Sequence, residues 1–181
     1  MSHQRARIDR YVTANPGVHF NALVRSLDLA PGQVQYHLKR LRRAEDVREE
    51  TLYGRTHYYP PEYDAWERGS LAMLRRETAR DVLVHLLSEG PSEPSAVAAD
   101  LDIARSTLEW HLDHLVEQDL VAKDRDAGNR VTLVVCRPAE TAELLRLVDP
   151  SVTDRVVDRF TRLVDDLLAG ERPGGEDGDD R

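Results

Sequence analysis

An internal repeat constrains the fold of this chain more than any other sequence feature. The stretch LAPGQVQYHLKRL, residues 29–41, is matched 74 positions later by IARSTLEWHLDHL, residues 103–115. The offset holds without a gap from Ile8 and Val82 to Gly54 and Gly128, and most of the matched positions are apolar. Because domains of roughly 50 to 150 residues can close their own cores, we interpret each copy in the 181-residue chain as one domain.

The first copy has the pattern of three helices. Residues 5–14 have helical spacing and are ended by Asn15-Pro16-Gly17, and residues 20–28 form a second, short helix. The third helix is predicted from about residue 31 to residue 45, with four residues on one stripe: Val34, Leu38, Leu41 and Glu45. The first three of these are its core side.

A β-hairpin is predicted after the third helix in each copy. VREETLYGRTHYYP alternates loosely and breaks at Tyr53-Gly54-Arg55, while the second copy places Asp126-Ala127-Gly128-Asn129 at the tip. Three helices followed by a hairpin are the order of a winged helix-turn-helix. The fold class we expect is therefore mainly α with small β-hairpins (α+β), with two tandem winged helix-turn-helix domains and a C-terminal amphipathic helix.

The domain boundaries follow from the repeat. We expect a first winged-helix domain at 1–61, a linker at 62–72, a second winged-helix domain at 73–137, C-terminal helices at 138–169 and a disordered acidic tail at 170–181. Ser151 to Asp154 has the form of a capping box that opens the last helix. Its apolar stripe fits a dimer seam or packing on its own second domain equally well, and comprises Val156, Phe160, Leu163 and Leu167.

The residues 20–47, FNALVRSLDLAPGQVQYHLKRLRRAEDV, resemble the helix-turn-helix of ArsR/MarR-type winged-helix transcription regulators, especially archaeal members. The shared pattern is V-x-x-H-L-x-x-L, and the resemblance covers residues 5–60 well and 73–136 less strongly. It implies double-stranded DNA as a partner, a homodimer, a third helix in the major groove and a wing on the flanking backbone or minor groove. The sequence departs from the family at residues 44–47, where acids replace a glycine-containing turn.

The resemblance implies a DNA-reading face on the third helix, opposite its apolar stripe. Glutamine can pair with adenine and arginine with guanine, while basic residues at the end of the helix suit phosphates. The predicted DNA-binding residues are Gln33, Gln35, Tyr36, Lys39, Arg40 and Arg43 on the helix, with Arg55 and His57 on the wing. The alternative is a solvated basic face with no special role.

The two copies differ in the charge of this face. At the offset of 74, Gln35 becomes Glu109, Lys39 becomes Asp113 and Arg43 becomes Glu117. Residues 1–61 carry 10 basic and 6 acidic residues, or +4, whereas the rest of the chain carries 15 and 27, or −12. Because acids repel phosphates, we expect the second domain to contact a partner subunit, another protein or an effector instead.

Other classes of site find less support. His111 and His114 lie one helical turn apart with Asp113 between them, but such pairs are more often incidental than metal ligands, and a single cysteine, Cys136, rules out a thiolate site. The sequence has no phosphate loop and no nucleophile elbow, so we predict neither an enzyme nor a cofactor. Since no apolar run approaches the roughly 20 residues that span a bilayer, we expect no membrane contact. The N-terminus MSHQRARIDRY lacks the apolar segment of a secretory signal, so we expect a cytoplasmic location.

The composition adds one hint about the source. Arginine occurs 23 times and aspartate 19 times, but lysine only twice, which resembles proteins of salt-loving archaea; a GC-rich genome is the alternative.

From the resemblance and the basic face of the third helix, we predict a sequence-specific DNA-binding transcription regulator that reads the major groove with the third helix of its first domain. The alternatives are a nonspecific architectural DNA-binding protein and an interaction adaptor that binds no DNA.

Overall fold

The computed structural model describes residues 2–152. In chain order, its elements are α1 (His3–Ala14), β1 (Val18–His19), α2 (Phe20–Leu27), α3 (Pro31–Arg43), β2 (Arg48–Leu52), β3 (Arg55–Tyr59), α4 (Ala65–Leu74), α5 (Glu77–Glu89), α6 (Pro94–Asp100), α7 (Arg105–Glu117), β4 (Val121–Arg125), β5 (Val131–Val135) and α8 (Pro138–Val148). Three helices followed by a hairpin occur twice, from α1 to β3 and from α5 to β5. The predicted α+β fold with two tandem winged helix-turn-helix units is confirmed.

The repeat is preserved in the cores of the two units. Residues at matched positions are buried in both copies, and α3 and α7 begin and end at matched positions. The fully or nearly fully buried pairs are Ile8 and Val82, Val12 and Leu86, Leu23 and Val97, Val34 and Leu108, Leu38 and Leu112, and Leu41 and Leu115. The apolar pattern is therefore the part of the sequence that specifies the shared fold.

The repeat also extends to strained backbone positions. Asp28 and its match Asp102 have φ of 50° and 51°, and Glu45 and its match Asp119 have φ of 62° and 60°. The prediction that α3 continues to residue 45 is wrong, because α3 ends at Arg43 and Glu45 takes the left-handed conformation that terminates helices. Glu45 thus performs the role for which glycine is usually chosen, and it is exposed rather than part of the core stripe.

Strand β3 lies between the two hydrophobic cores. It is the central strand of a three-stranded sheet in the order β1-β3-β2. Successive side chains of a strand point to opposite faces, so Tyr58 packs with Ile8 and Val12 in the first core, while Tyr59 packs with Leu71 in the second. The Tyr59 hydroxyl donates to the Arg68 carbonyl oxygen at 2.8 Å. Both faces of the first wing are therefore covered by protein near residues 58 and 59.

Residues 62–72, which we predicted as a linker, are instead largely helical. They contain most of α4, whose N-terminus is capped by Asp64 and Glu67 in a reciprocal capping box. Leu71, Met73 and Leu74 are fully buried, and α4 packs against α5 and α8. Helix α8 (Pro138–Val148) occupies the positions that match α4 at the offset of 74, but the residues matched in the sequence end at the wing tips, so the comparison of the two copies did not reach this stretch.

The two wings differ in their tips. In the first hairpin Leu52 pairs with Arg55, which leaves a two-residue tip; in the second, Arg125 pairs with Val131 and leaves a five-residue tip. The strands that follow the two tips, β3 and β5, are therefore not related by the offset of 74. In the predicted C-terminal region 138–169, the structure describes α8. The predicted dimer-seam residues Val156, Phe160, Leu163 and Leu167, together with the tail 170–181, lie outside the described residues.

Candidate nucleic-acid interface

Helix α3 is held by its apolar side and presents its other side to solvent. Val34, Leu38 and Leu41 are buried against α1 and α2, which leaves the opposite face exposed. Pro31 occupies the first turn, where its missing N–H is not needed. Tyr36 is 55% exposed, a large fraction for an aromatic side chain. The core contacts of α3 thus fix which side chains face outward.

The outward face of α3 carries positive charge that is not neutralised locally. Lys39, Arg40 and Arg43 are exposed, and none of them forms an ion pair with a carboxylate in residues 2–152. The Arg40 guanidinium donates to the Tyr36 hydroxyl at 3.0 Å and lies 5.8 Å from the centre of its ring. Arg42, by contrast, is bound to Glu49 of β2 at 2.8 Å and so fastens the helix to the wing.

The two glutamines of α3 have different environments. The Gln33 side-chain oxygen accepts from the backbone N–H of Ala30 at 3.3 Å, so Gln33 caps the start of the helix. Gln35 is exposed and lines a groove of about 770 Å³ between α3 and the wing, together with Lys39 and Arg43. Of the two, Gln35 is therefore the better placed to reach a ligand in the groove.

A second groove, of about 620 Å³, lies between α2, the start of α3 and the wing. Arg25 of α2 and Arg55 of β3 line it from two sides, together with Asn21 and the half-buried His19. The pKa of His19 is lowered, first by burial and then by the positive charges of Arg55 and Arg25. Sequence reasoning missed Arg25, because only the tertiary structure brings the end of α2 opposite the wing.

His57 does not lie on this surface, contrary to the prediction that it contacts DNA. It is 1% exposed, and its Nδ1 lies 2.7 Å from the Gly17 carbonyl oxygen. The reason is the position of β3, where β1 pairs on one side and places His19 opposite His57, while β2 pairs on the other. Burial lowers the pKa of His57, which favours the neutral ring. Strand β1, only two residues long, was not predicted.

Helix α7 presents acids where α3 presents bases. Glu109 forms ion pairs with Lys123 at 3.0 Å and with Arg105 at 3.9 Å, and Lys123 also lies 3.9 Å from Asp113. Trp110, the match of Tyr36, is 46% exposed. The acids of this face are thus partly neutralised by neighbouring side chains of the second domain.

The second domain keeps basic residues on its wing. A groove of about 400 Å³ between α6, α7 and the β4-β5 hairpin is lined by Arg105, Lys123, Arg125 and Arg130, along with Glu93 and Glu109. Arg130 is paired with Asp126 at 2.9 Å, and Arg125 donates to the Asn129 side chain at 3.0 Å. Most of these cations therefore already have partners within the domain.

Within residues 2–152 there is no group of three or more histidine, cysteine, aspartate or glutamate side chains that could hold a metal ion. No helix in that range is long and apolar enough to cross a membrane.

Comparison with known proteins defines the class of the two units. Residues 2–71 match a family model described as an N-terminal helix-turn-helix domain, and residues 74–124 match a second model described as a helix-turn-helix domain. Together with the fold, these matches make the chain a tandem winged helix-turn-helix protein.

A curated relative points in the same direction. The chain is 27% identical over 135 residues to an uncharacterized HTH-type transcriptional regulator of the archaeon Methanocaldococcus jannaschii. The aligned region covers 75% of this chain but 34% of the relative, so the chain spans about a third of the length of that protein. The two domain matches are to helix-turn-helix models, and the description of the relative as a transcriptional regulator applies to that longer protein.

Proposed function

We propose that this protein is a sequence-specific DNA-binding transcription regulator whose first domain inserts α3 into the major groove. The observation that carries the proposal is the outward face of α3, where Lys39, Arg40 and Arg43 are exposed without a carboxylate partner among the described residues. Cations that are left unpaired on the helix that a winged domain presents to DNA are suited to phosphate and base contacts.

The grooves beside α3 suggest how the contacts are divided. Gln35 and Lys39 face the groove toward the wing and are proposed to reach base edges. Arg43, at the end of the helix, is proposed to bind the backbone. Arg25 and Arg55 flank the second groove and are proposed to hold a phosphate between α2 and the wing. His57 is omitted from this set because it is buried.

The second domain is proposed to assemble or regulate the protein rather than to insert α7 into DNA. The acids of α7 would meet the phosphates with repulsion, even after partial neutralisation by Lys123 and Arg105. Homodimerisation, which the family resemblance implies, remains part of the proposal. A two-fold dimer would require a binding site made of two half-sites related by the same symmetry.

Selection from a random duplex library in concentrated potassium chloride tests the proposal. High salt suppresses the nonspecific phosphate contribution, so any enrichment reflects contacts with bases or with DNA shape. We expect the wild-type protein to enrich one motif. We expect a variant with Lys39→Glu, Arg40→Glu and Arg43→Glu to lose that enrichment.

A charge-matched control separates the α3 surface from net charge. Arg146 is exposed on α8, so Arg146→Glu changes the total charge as much as Arg43→Glu does, but on another element. We expect Arg43→Glu to weaken binding to the enriched motif and Arg146→Glu to leave it nearly unchanged. Binding without enrichment would instead favour an architectural protein, and no binding by the wild type would favour an interaction adaptor.

A further inference from the structure

The tip of the first wing is attached to helix α7 of the second domain. The hydroxyl of Tyr53 donates to the side-chain oxygen of Gln118, just after α7, at 2.8 Å. The Tyr53 ring lies 5.0 Å from the ring of His114, and the Arg76 guanidinium donates to the Tyr53 carbonyl oxygen. Tyr53 is half-buried by these contacts. The tip is thus held by three side chains that lie outside its own winged unit.

The side chain of Gln118 is itself held in place by residues of α4. Its side-chain nitrogen donates to the Trp66 carbonyl oxygen of α4 at 2.9 Å, so the amide joins α4 to the wing tip. Gly69 of α4 leaves the space that this amide occupies, because a Cβ at that position would overlap the Gln118 amide. Both polar ends of the Gln118 amide are therefore satisfied, and its orientation is fixed.

The turn at the wing tip has an unfavourable residue for its geometry. Tyr53 and Gly54 have φ of 52° and 78°, and a two-residue hairpin turn with both values positive is normally occupied by asparagine or glycine. A tyrosine in this conformation is strained by its Cβ. The repeat does not supply the attachment either, since the matches of Tyr53 and Gln118 are Ala127 and Ala44. A strained residue that contacts another domain points to a role beyond closing the hairpin.

We infer that Tyr53 and Gln118 are positioning residues that hold the first wing where Arg55 can reach the DNA backbone. Arg55 immediately follows the tip and pairs with Leu52 across the hairpin. The direction of the tip therefore sets where Arg55 lies relative to Arg25 and α3. The second domain, whose α7 presents acids where α3 presents bases, thus contributes to DNA binding by holding the first wing. The inference rests on the proposed function, because it assigns a role in the same DNA contact.

The test is a double-mutant cycle in the full-length protein between Tyr53 and Arg55. Tyr53→Asn suits the turn but removes the attachment, Tyr53→Phe removes only the hydroxyl, and Arg55→Ala removes the cation. The probe is a fluorescent duplex of random sequence, about three helical turns long, whose affinity is measured by anisotropy over a range of potassium chloride concentrations. Circular dichroism and thermal melting confirm that each variant is folded.

We expect Arg55→Ala to reduce the slope of log affinity against log salt by about 1, since one phosphate contact is lost. Tyr53→Asn should weaken binding by about three- to tenfold and reduce the slope similarly, with a smaller effect for Tyr53→Phe. In the Arg55→Ala background, neither tyrosine substitution should weaken binding further. If Tyr53 only stabilised the contact between the domains, its substitution would lower the melting temperature. Its effect on DNA affinity would then be the same with and without Arg55.

A third variant reaches the same attachment from α4. Gly69→Ala substitutes none of Tyr53, Gln118 and Arg55, but the added Cβ displaces the side-chain amide of Gln118. It should therefore reproduce the effect of Tyr53→Phe. If these variants bind like the wild type while Arg55→Ala binds more weakly, or if their effects add to that of Arg55→Ala, the inference is overturned. If Arg55→Ala and the triple glutamate variant of α3 both bind like the wild type, the proposed function itself fails.

Discussion

Two side chains of one strand, Arg55 and His57, have opposite environments in this protein. Arg55 is exposed beside the tip, whereas His57 is covered by β1 and lies against the Gly17 carbonyl oxygen. Its Nε2 has no hydrogen-bond partner among the described residues. The ring is therefore suited to the neutral state, with the proton on the nitrogen that faces Gly17.

Acidification should destabilise the folded protein through His57. Its pKa is lowered from 6.5, chiefly by burial, so the unfolded chain takes up a proton first as the pH falls. The stabilisation is complete above about pH 6.5 and is lost as the pH falls from there toward the lower folded pKa. His19 has a pKa lowered in the same direction and adds to the effect. Urea unfolding between about pH 7 and pH 5 measures it.

A substitution at position 57 identifies the contribution of this ring. His57→Asn retains a donor toward Gly17 but cannot take up a proton in this range. We expect it to lower stability at neutral pH and to reduce the dependence of the unfolding free energy on pH. An unchanged pH dependence in the variant would show that other histidines account for the effect.

At the scale of the element, the ends of α3 and α7 are strained in the same way. Glu45 and Asp119 adopt left-handed backbone conformations, which favour glycine. Substitution of Glu45 by glycine should relieve the strain, whereas substitution by alanine removes the same charge and keeps the Cβ. We expect Glu45→Gly to be more stable than Glu45→Ala by about 1 kcal/mol in urea unfolding. Equal stability of the two variants would show that the left-handed conformation costs little here.

The elements differ in how far the sequence predicts them. Helices α1, α2 and α3 and their repeats were predicted because periodic apolar residues meet one core in each unit. Helix α4 was missed, since its buried residues contact α5 and α8, which belong to the other unit and to the chain beyond it. Strand β1 is too short to carry an alternating pattern. Strand β1 thus depends on tertiary contacts that no local pattern records, whereas the start of α4 has a local signature in the capping box of Asp64 and Glu67.

The residues of the candidate site also fall into those that the sequence predicts and those that depend on tertiary contacts. The outward face of α3 follows from helical geometry once the core stripe is known, so Lys39, Arg40 and Arg43 could be chosen from the sequence. The burial of His57 depends on pairing with β1, and the placement of Arg25 depends on how α2 packs beside the wing. The attachment of Tyr53 to Gln118 joins residues 65 positions apart that the repeat does not relate.

At the scale of the molecule, β3 makes the two winged units dependent on each other. Tyr59 belongs to the core of the second unit although its strand belongs to the first. Gly17, also in the first unit, has φ of 79°, and a Cβ there would come 3.0 Å from Leu71 Cβ of α4. We therefore expect the protein to unfold in one cooperative transition rather than two.

Truncation tests this dependence. A fragment that ends at residue 61 would expose Tyr59, whose burial is worth about 1.5 to 3 kcal/mol, while a fragment that ends at residue 76 keeps α4 over it. We expect the shorter fragment to be the less stable in urea unfolding and to show poorer amide dispersion by NMR. Equal stability of the two fragments, together with two separate transitions in the full chain, would contradict the shared core.

The two-sided sheet also limits how such a protein can be recombined. A chimera that exchanged the first 61 residues for those of another regulator would remove Tyr59 of β3. The core of the second unit would then lack one of its buried side chains. A transferable cassette has to include α4, with Gly69 and Leu71, and keep Gln118 as the acceptor for the wing tip. Duplicated domains are often regarded as interchangeable modules, but here neither copy can be exchanged without the residues that the other copy contacts.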